Sequence, residues 1–247
     1  VMTLPPPPHR CPPSPYERAC LIASHFQKHK IPGKILILDP KPRIAPIGPG
    51  YKLAFEDLYP DIIEHVPNAV VKEVNPFNKV IKTGAGDFKF DDAIFMGHHM
   101  AADLVWKLGA IGKTPEGKPT NWAKVHPEYY HLPDDPQVFV IGDSVGAVSP
   151  QFGHYPKSGH VASRMGQSVA QYIGQQAKGQ ALTPVLIDNL CFMLVNTEPL
   201  EAISVQFDYR MGPEGHLVQT QIDDNDRRAA LWQEDLRWYG HILGRML

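Results

Sequence analysis

Short β-type runs and longer helical stripes of apolar residues alternate through the first forty positions. Val1 to Pro5 reads as the end of a strand. Ala19, Ile22, Ala23 and Phe26 then share one face of a helix that runs to about His29. Lys34 to Leu38 reads as a second strand, closed by Asp39-Pro40. The helix start is marked by Ser14-Pro15-Tyr16-Glu17, with an N-cap serine, proline at the first helical position and glutamate at the third. Together these elements predict a βαβ unit the size of a mononucleotide-binding half.

Further along, Leu53, Phe55, Leu58, Ile62 and Ile63 predict a helix over 51–66. Val70 to Val74, Lys79 to Thr83 and Phe88 to Phe90 read as short antiparallel strands, and Asp92 to Met96 as one more before Gly97-His98-His99. Residues 113–135 are turn-rich. Val138-Phe139-Val140-Ile141, apolar and mostly β-branched, predicts a buried strand ending at Gly142-Asp143. A helix follows from about Gly159 to Gln176, with Ala162, Gly166, Ala170 and Gly174 as a small-residue stripe suited to close packing. Cys191 to Val195 and Ala202 to Arg210 alternate like strands. A turn over 211–215 leads to a hairpin partner, His216 to Ile222. A last helix, from about Asp226 to Met246, aligns Trp232, Leu236, Tyr239, Leu243 and Met246 on one face.

In a nucleotide-binding βαβ unit the first strand-to-helix loop carries G-x-G-x-x-G, so that the backbone can approach a pyrophosphate. Here that loop is Pro5-Pro6-Pro7-Pro8-His9-Arg10-Cys11-Pro12-Pro13, without a glycine. Proline offers no N–H and cannot take positive φ. The expectation is a nucleotide-domain fold whose nucleotide site is closed, with no electrons drawn from NAD(P)H.

The 247 residues are long enough to bury a sizeable core in one to two domains. A net charge of −2 gives no electrostatic footprint for nucleic acid. No apolar run approaches the length of a membrane span, and no signal peptide is read at the start. Three cysteines, Cys11, Cys20 and Cys191, allow at most one internal disulfide, with one thiol left over.

Asp143 follows a strand end, where open α/β sheets bind ligands. An ionised carboxylate there suits sugar or polyol hydroxyls, because it only accepts hydrogen bonds. The plainer alternative is a generic strand-turn-helix. Cys11 lies just ahead of a helix N-terminus and beside Arg10, and both favour a thiolate. Cys20 lies mid-helix beside Ile22 and Ala23 and reads as a buried, inert thiol. His98, His99, His126, His131, His154 and His160 are scattered, without i,i+4 pairing or a Cys/His cluster, so no metal site is expected. Trp232 and Trp238 read as core or interface.

Seven stretches carry a resemblance spread over nearly the whole chain: Arg10-Cys11-Pro12-Pro13-Ser14-Pro15-Tyr16-Glu17-Arg18-Ala19; Ile35 to Pro40; Phe139 to Asp143 with Pro156-Lys157-Ser158-Gly159; and, in the tail, Asn189-Leu190-Cys191 with Ile203-Ser204-Val205 and Trp238-Tyr239. In these the chain resembles the flavoprotein subunit of flavocytochrome c sulfide dehydrogenase, one of the two-dinucleotide-domain flavoenzymes. The family begins with an FAD-binding βαβ unit carrying G-x-G-x-x-G, which is not found here. The sequence therefore reads as the C-terminal two-thirds of such a protein. The expected fold is α/β, with a degenerate Rossmann-type domain (1–112), the C-terminal part of an FAD-binding domain (113–180) and a C-terminal α+β interface domain (181–247).

The resemblance implies that Cys11 and Cys191 pair as a redox-active disulfide beside the flavin, where it engages sulfide. The alternative is a staple closing a very long loop, worth about 4–5 kcal/mol. It also implies that Gly142 and Asp143 belong to the flavin site, with Asp143 on the ribityl hydroxyls, and that Lys157, Ser158 and Gly159 open a helix toward the pyrimidine end of the flavin. Lys157 read plainly is a solvated cation. The whole protein is expected to be a periplasmic FAD enzyme that oxidises sulfide and passes electrons to a c-type cytochrome, and this chain alone to bind FAD weakly or not at all. The alternatives are a flavoprotein acting on sulfur carriers, a sulfide:quinone oxidoreductase, or a non-catalytic scaffold that binds a partner through its tail. Asp235, Arg237 and Arg245 make the last helix read as a docking helix rather than a membrane anchor.

Overall fold

A computed structural model describes residues 1–246, with side chains described to Gly244. The chain divides into two compact units: Val1–His98 with Cys191–Val205 and Asp223–Leu247, and His99–Leu190 with Gln206–Ile222.

The first unit opens with the predicted βαβ: β1 (Met2–Thr3), α1 (Ser14–His29) and β2 (Ile35–Leu38). β1 and β2 pair in parallel, Met2 with Ile37 and Thr3 with Leu38. α2 (Gly48–Leu58) leads to β3 (Ile63–Val66), which adds in parallel to β2. Ile62 and Ile63 are therefore not helical, whereas the 51–66 reading expected a helix through them. Pro60 disfavours a helical conformation at Tyr59, which takes φ −133° and ends α2. The antiparallel set over 70–90 forms as expected, from β4 (Val71–Asn75), β5 (Val80–Thr83) and β6 (Asp87–Lys89). β7 (Ile94–Phe95) then pairs in parallel with β1, giving the sheet order β3-β2-β1-β7. Leu38, Ala69 and Ile81 form a buried cluster with Leu36, Val66, Val71 and Phe88 against it.

The cap of α1 lies one residue earlier than predicted. Pro13 is the N-cap, Ser14 is already helical, and no side chain caps the end. The buried face is Tyr16, Ala19, Cys20 and Ala23, with Ile22 and Phe26 only half-buried.

In the second unit α3 (Asp103–Lys107) precedes a hairpin of β8 (Ile111–Lys113) and β9 (Pro119–Ala123) inside the turn-rich stretch. The expected strand Val138–Ile141 does not form. Phe139 makes an isolated bridge to His131, Val140 N–H donates to the Tyr130 carbonyl, and Ile141 is exposed. A β-branched run needs neighbouring strands for its ladder, and among the described residues this one has only that bridge. Gly142–Ser144 is instead a short 3-10 turn. It precedes α4 (Gly159–Ala177), close to its predicted span.

Gly142 takes φ +69°, and a Cβ there would lie 3.2 Å from Ala162 Cβ on α4. Gly166 faces Ile141 in the same way, so the small-residue stripe lets α4 approach the turn. Gly142→Ala is expected to cost about 1–2 kcal/mol, from the left-handed backbone and the close approach together, measurable as a lower urea midpoint.

β10 (Asp188–Thr197), β11 (Leu200–Met211) and β12 (Leu217–Arg228) lie in the order β10-β11-β12. α5 (Ala229–Met246) follows. Its first-unit face is Leu231, Asp235, Trp238 and Ile242, whereas the apolar stripe read from the sequence points outward, with Leu236, Tyr239 and Leu243 exposed. Arg245 and Met246 lie outside the residues whose side chains are described. No described helix is long and apolar enough to cross a membrane.

Candidate active site

The cysteine pair and the glycine-aspartate turn fall in different units, and each has its own geometry. In the first unit Cys11 sits in the left-handed region at φ +44°, an uncommon conformation for a residue with a Cβ. Such strain costs about 1–3 kcal/mol and concentrates at functional positions. The chain turns there into α1, and the Ser14 N–H donates to the Cys11 carbonyl at 3.0 Å. Pro15 has no N–H, and the N–H groups of Tyr16 and Glu17 both donate to the Pro13 carbonyl. The first-turn donors that would hold a pyrophosphate are thus absent or already committed.

Asp39 closes the same site from the other side. It follows β2, where a dinucleotide fold carries the carboxylate that holds a ribose hydroxyl. Here Asp39 is fully buried and engaged by protein. It accepts from the Tyr16 hydroxyl, pairs with His65 Nε2 at 2.9 Å and Lys41 Nζ at 3.0 Å, and accepts the Lys41 N–H at 2.9 Å. Burial pushes its carboxyl upward, but His65, Tyr16 and Lys41 together outweigh that and leave it below the usual carboxylate value. The closed site read from the proline loop is therefore closed at both of its anchor points. Sequence reading took Asp39 only as a strand terminator and missed this network, although its place after β2 was the available signal.

Cys191 lies on β10 with Met193 and Val195, and strand alternation puts all three on one face; Met193 and Val195 are fully buried. Cys11 and Cys191 are each half-buried in the first unit. Glu17 joins the elements that carry them: its carboxylate, six residues after Cys11, accepts the N–H of Leu194, three residues after Cys191, at 2.8 Å. Burial raises the Glu17 carboxyl above its usual value, the Leu194 N–H opposes this, and Asp235 adds to it. Sequence reading assigned Glu17 to helix capping, whereas the structure uses it as a tie between α1 and β10. Tyr51 is buried beside this group, donates to the Pro13 carbonyl at 3.0 Å, and has its phenol pushed up, first by burial and then by Glu17, Cys20 and Cys11. Cys20 is fully buried, and burial pushes its thiol well up, so it is unreactive.

In the second unit the turn and the start of α4 bring Gly142, Asp143, Lys157, Ser158 and Gly159 together. Lys157 is not a solvated cation. It is 4% exposed, and its Nζ donates to the carbonyls of Asp143 (2.7 Å) and Val145 (2.8 Å) and lies 3.7 Å from the centre of the Trp122 ring. Ser158 is the N-cap of α4, accepting the Val161 N–H, and its hydroxyl is 2.7 Å from Asn189 Oδ1, to which it donates. Gly159 is exposed, and a Cβ there would meet nothing within 4 Å. An ionised carboxylate at this turn can accept from polyol hydroxyls, and α4 begins at Gly159 behind its Ser158 cap. The described residues offer no glycine-rich loop for its pyrophosphate. They also hold no group of three or more His, Cys, Asp or Glu able to bind a metal.

The solved structures similar to the chain include the following three. Reduced CoADR-RHD of Bacillus anthracis is 11% identical over 83% of this chain and 42% of that one (TM-score 0.45). An NAD-dependent persulfide reductase from A. fulgidus is 13% identical over 80% and 40% (TM-score 0.45). The Cu(II) complex of the HOCl-induced flavoprotein disulfide reductase RclA from Escherichia coli is 11% identical over 90% and 51% (TM-score 0.48). The chain thus spans about half or less of the length of each. Residues 1–94 match the family described as sulfide dehydrogenase (flavocytochrome c) flavoprotein chain, central, the family that the arginine–cysteine–proline block resembles.

Proposed function

We propose that the chain is the sulfur-handling part of an FAD-dependent sulfide dehydrogenase, with Cys11 and Cys191 as its redox pair. The observation that carries this reading is the strained backbone of Cys11 at the head of α1, tied through Glu17 to the strand that bears Cys191. The family match over 1–94 supports it. Hydrosulfide attacks one sulfur of a Cys11–Cys191 disulfide. A persulfide forms on one cysteine as the S–S bond breaks, and the other leaves as thiolate. A second hydrosulfide takes the outer sulfur and leaves that cysteine as thiolate, and re-forming the Cys11–Cys191 bond from the two thiolates then requires a two-electron acceptor. A bound flavin supplies that acceptor chemistry.

Within this reading Asp143 accepts from the ribityl hydroxyls, and the start of α4 at Gly159 favours negative charge at the ring. The domain segments 1–112, 113–180 and 181–247, a c-type cytochrome as the physiological acceptor and a periplasmic location complete the proposal. The closed site between β1 and α1 supports an enzyme that takes no electrons from NAD(P)H. The test is anaerobic mixing of sulfide with the flavin-loaded whole protein of which this chain is a part. The expected result is bleaching of the oxidised flavin spectrum by sulfide and not by NADH. A flavin reduced by NADH and untouched by sulfide overturns the reading.

A further inference from the structure

We propose that Lys157 is a positioning residue, whose ammonium group fixes the Gly142–Val145 turn and so the place of Asp143 without itself meeting a ligand. The proposal rests on the reading of Asp143 as a ligand to the flavin and adds what holds it in place. An ammonium group has three donors. The Asp143 and Val145 carbonyls take two, and the face of Trp122 receives the cation at 3.7 Å. A group 4% exposed with its donors committed in this way has none to offer a ligand.

The turn is held on its other side by backbone. Gly146 N–H donates to the Ala123 carbonyl at 2.8 Å, and Val145 bridges Ala123. A Cβ at Gly146 would lie 2.5 Å from that carbonyl oxygen, so turn and β9 are in direct backbone contact. Ser144 Oγ accepts the Ala102 N–H. Lys157 supplies the charged strut opposite.

The groups that act on Lys157 are Asp143, His154 and the neutral ring of Trp122. Burial lowers the Lys157 pKa to about 8, with Asp143 opposing it. His154 is held down to about 4, first by burial and then by Lys157, so it stays neutral across the range where Lys157 titrates. Below pH 8 the ammonium grips the turn. Above it the neutral amine keeps weaker bonds to the carbonyls and loses the attraction to Trp122. Global stability moves the other way. An unfolded lysine keeps its proton to about pH 10.4, so the unfolded chain binds more protons between the two values, and folding gains as pH rises there. A change confined to the turn is therefore separable from unfolding.

The test follows the backbone amide signals of Asp143, Ser144 and Val145 by NMR from pH 6.5 to 10, in the wild type and in Lys157→Arg and Lys157→Met. The wild type is expected to show these amides titrating with a midpoint of about 8. Lys157→Arg keeps the positive charge across the whole range, so the midpoint disappears. Lys157→Met displaces the same signals at every pH. Wild-type turn signals that move nowhere between pH 6.5 and 10, or a Lys157→Arg variant that titrates like the wild type, overturn the proposal even if Lys157→Met fails to fold. The measurement needs no flavin, so its failure and a failure of the flavin reading are separate results.

Discussion

Asp39→Ala is expected to lower the stability of the protein by about 3–5 kcal/mol, the scale on which removing one member of a buried ionic network acts. The carboxylate is fully buried, and the substitution strands Tyr16, His65 and Lys41 around an empty site. Asp39→Asn should cost less, because its amide oxygen still accepts from Tyr16. The effect carries a pH signature. The folded carboxyl lies below its usual value, so its contribution is present above the unfolded value of about 3.9 and is lost as pH falls through the folded one. Urea unfolding at pH 7 and at pH 3 checks both parts: the gap between wild type and Asp39→Ala should narrow at the lower pH. A variant as stable as the wild type at pH 7 would mean that the network only fills space.

The second large effect concerns the cysteines. Cys11→Ser or Cys191→Ser in the flavin-loaded protein is expected to slow reduction by sulfide by about 1000-fold or more, as loss of a nucleophile or its resolving partner does. Cys20→Ser serves as the control. Its thiol is buried and pushed up, so the substitution is expected to leave the rate within a few-fold and act only on stability. If the disulfide were only a staple, the pattern would differ: thermal stability would fall in both pair variants while the sulfide rate stayed close to that of the wild type.

What the sequence revealed depended on how local the determining forces were. The first βαβ unit was legible because its period changes from two to 3.6 and back, with Pro15 marking the helix start. The hairpin strands over 70–90 were legible from their alternation. β3 was hidden because Ile62 and Ile63 continue the helical spacing of α2, and only Tyr59-Pro60 marks the break. The run Val138–Ile141 has the composition of a buried strand, but pairing partners decide whether such a run becomes one, and they are not encoded in the run itself. The outward stripe on α5 has helical spacing without telling which face packs. At the candidate sites Cys11 lies just ahead of a helix, as its local motif suggested, whereas Asp143 lies in a short 3-10 turn and not at the end of a strand. The roles of Glu17, Asp39 and Lys157 come from partners far along the chain or across a turn, beyond the reach of local pattern.

The central claim is that Cys11 and Cys191 form the pair that meets sulfide, and peptide mapping of the oxidised protein tests it most directly. The account predicts a linked Cys11–Cys191 peptide that separates on reduction. Added sulfide should open the same link and leave one extra sulfur on Cys11 or Cys191, with Cys20 unmodified. Cysteines that stay unlinked under oxidising conditions and gain no sulfur, or a sulfur found on Cys20, would contradict it.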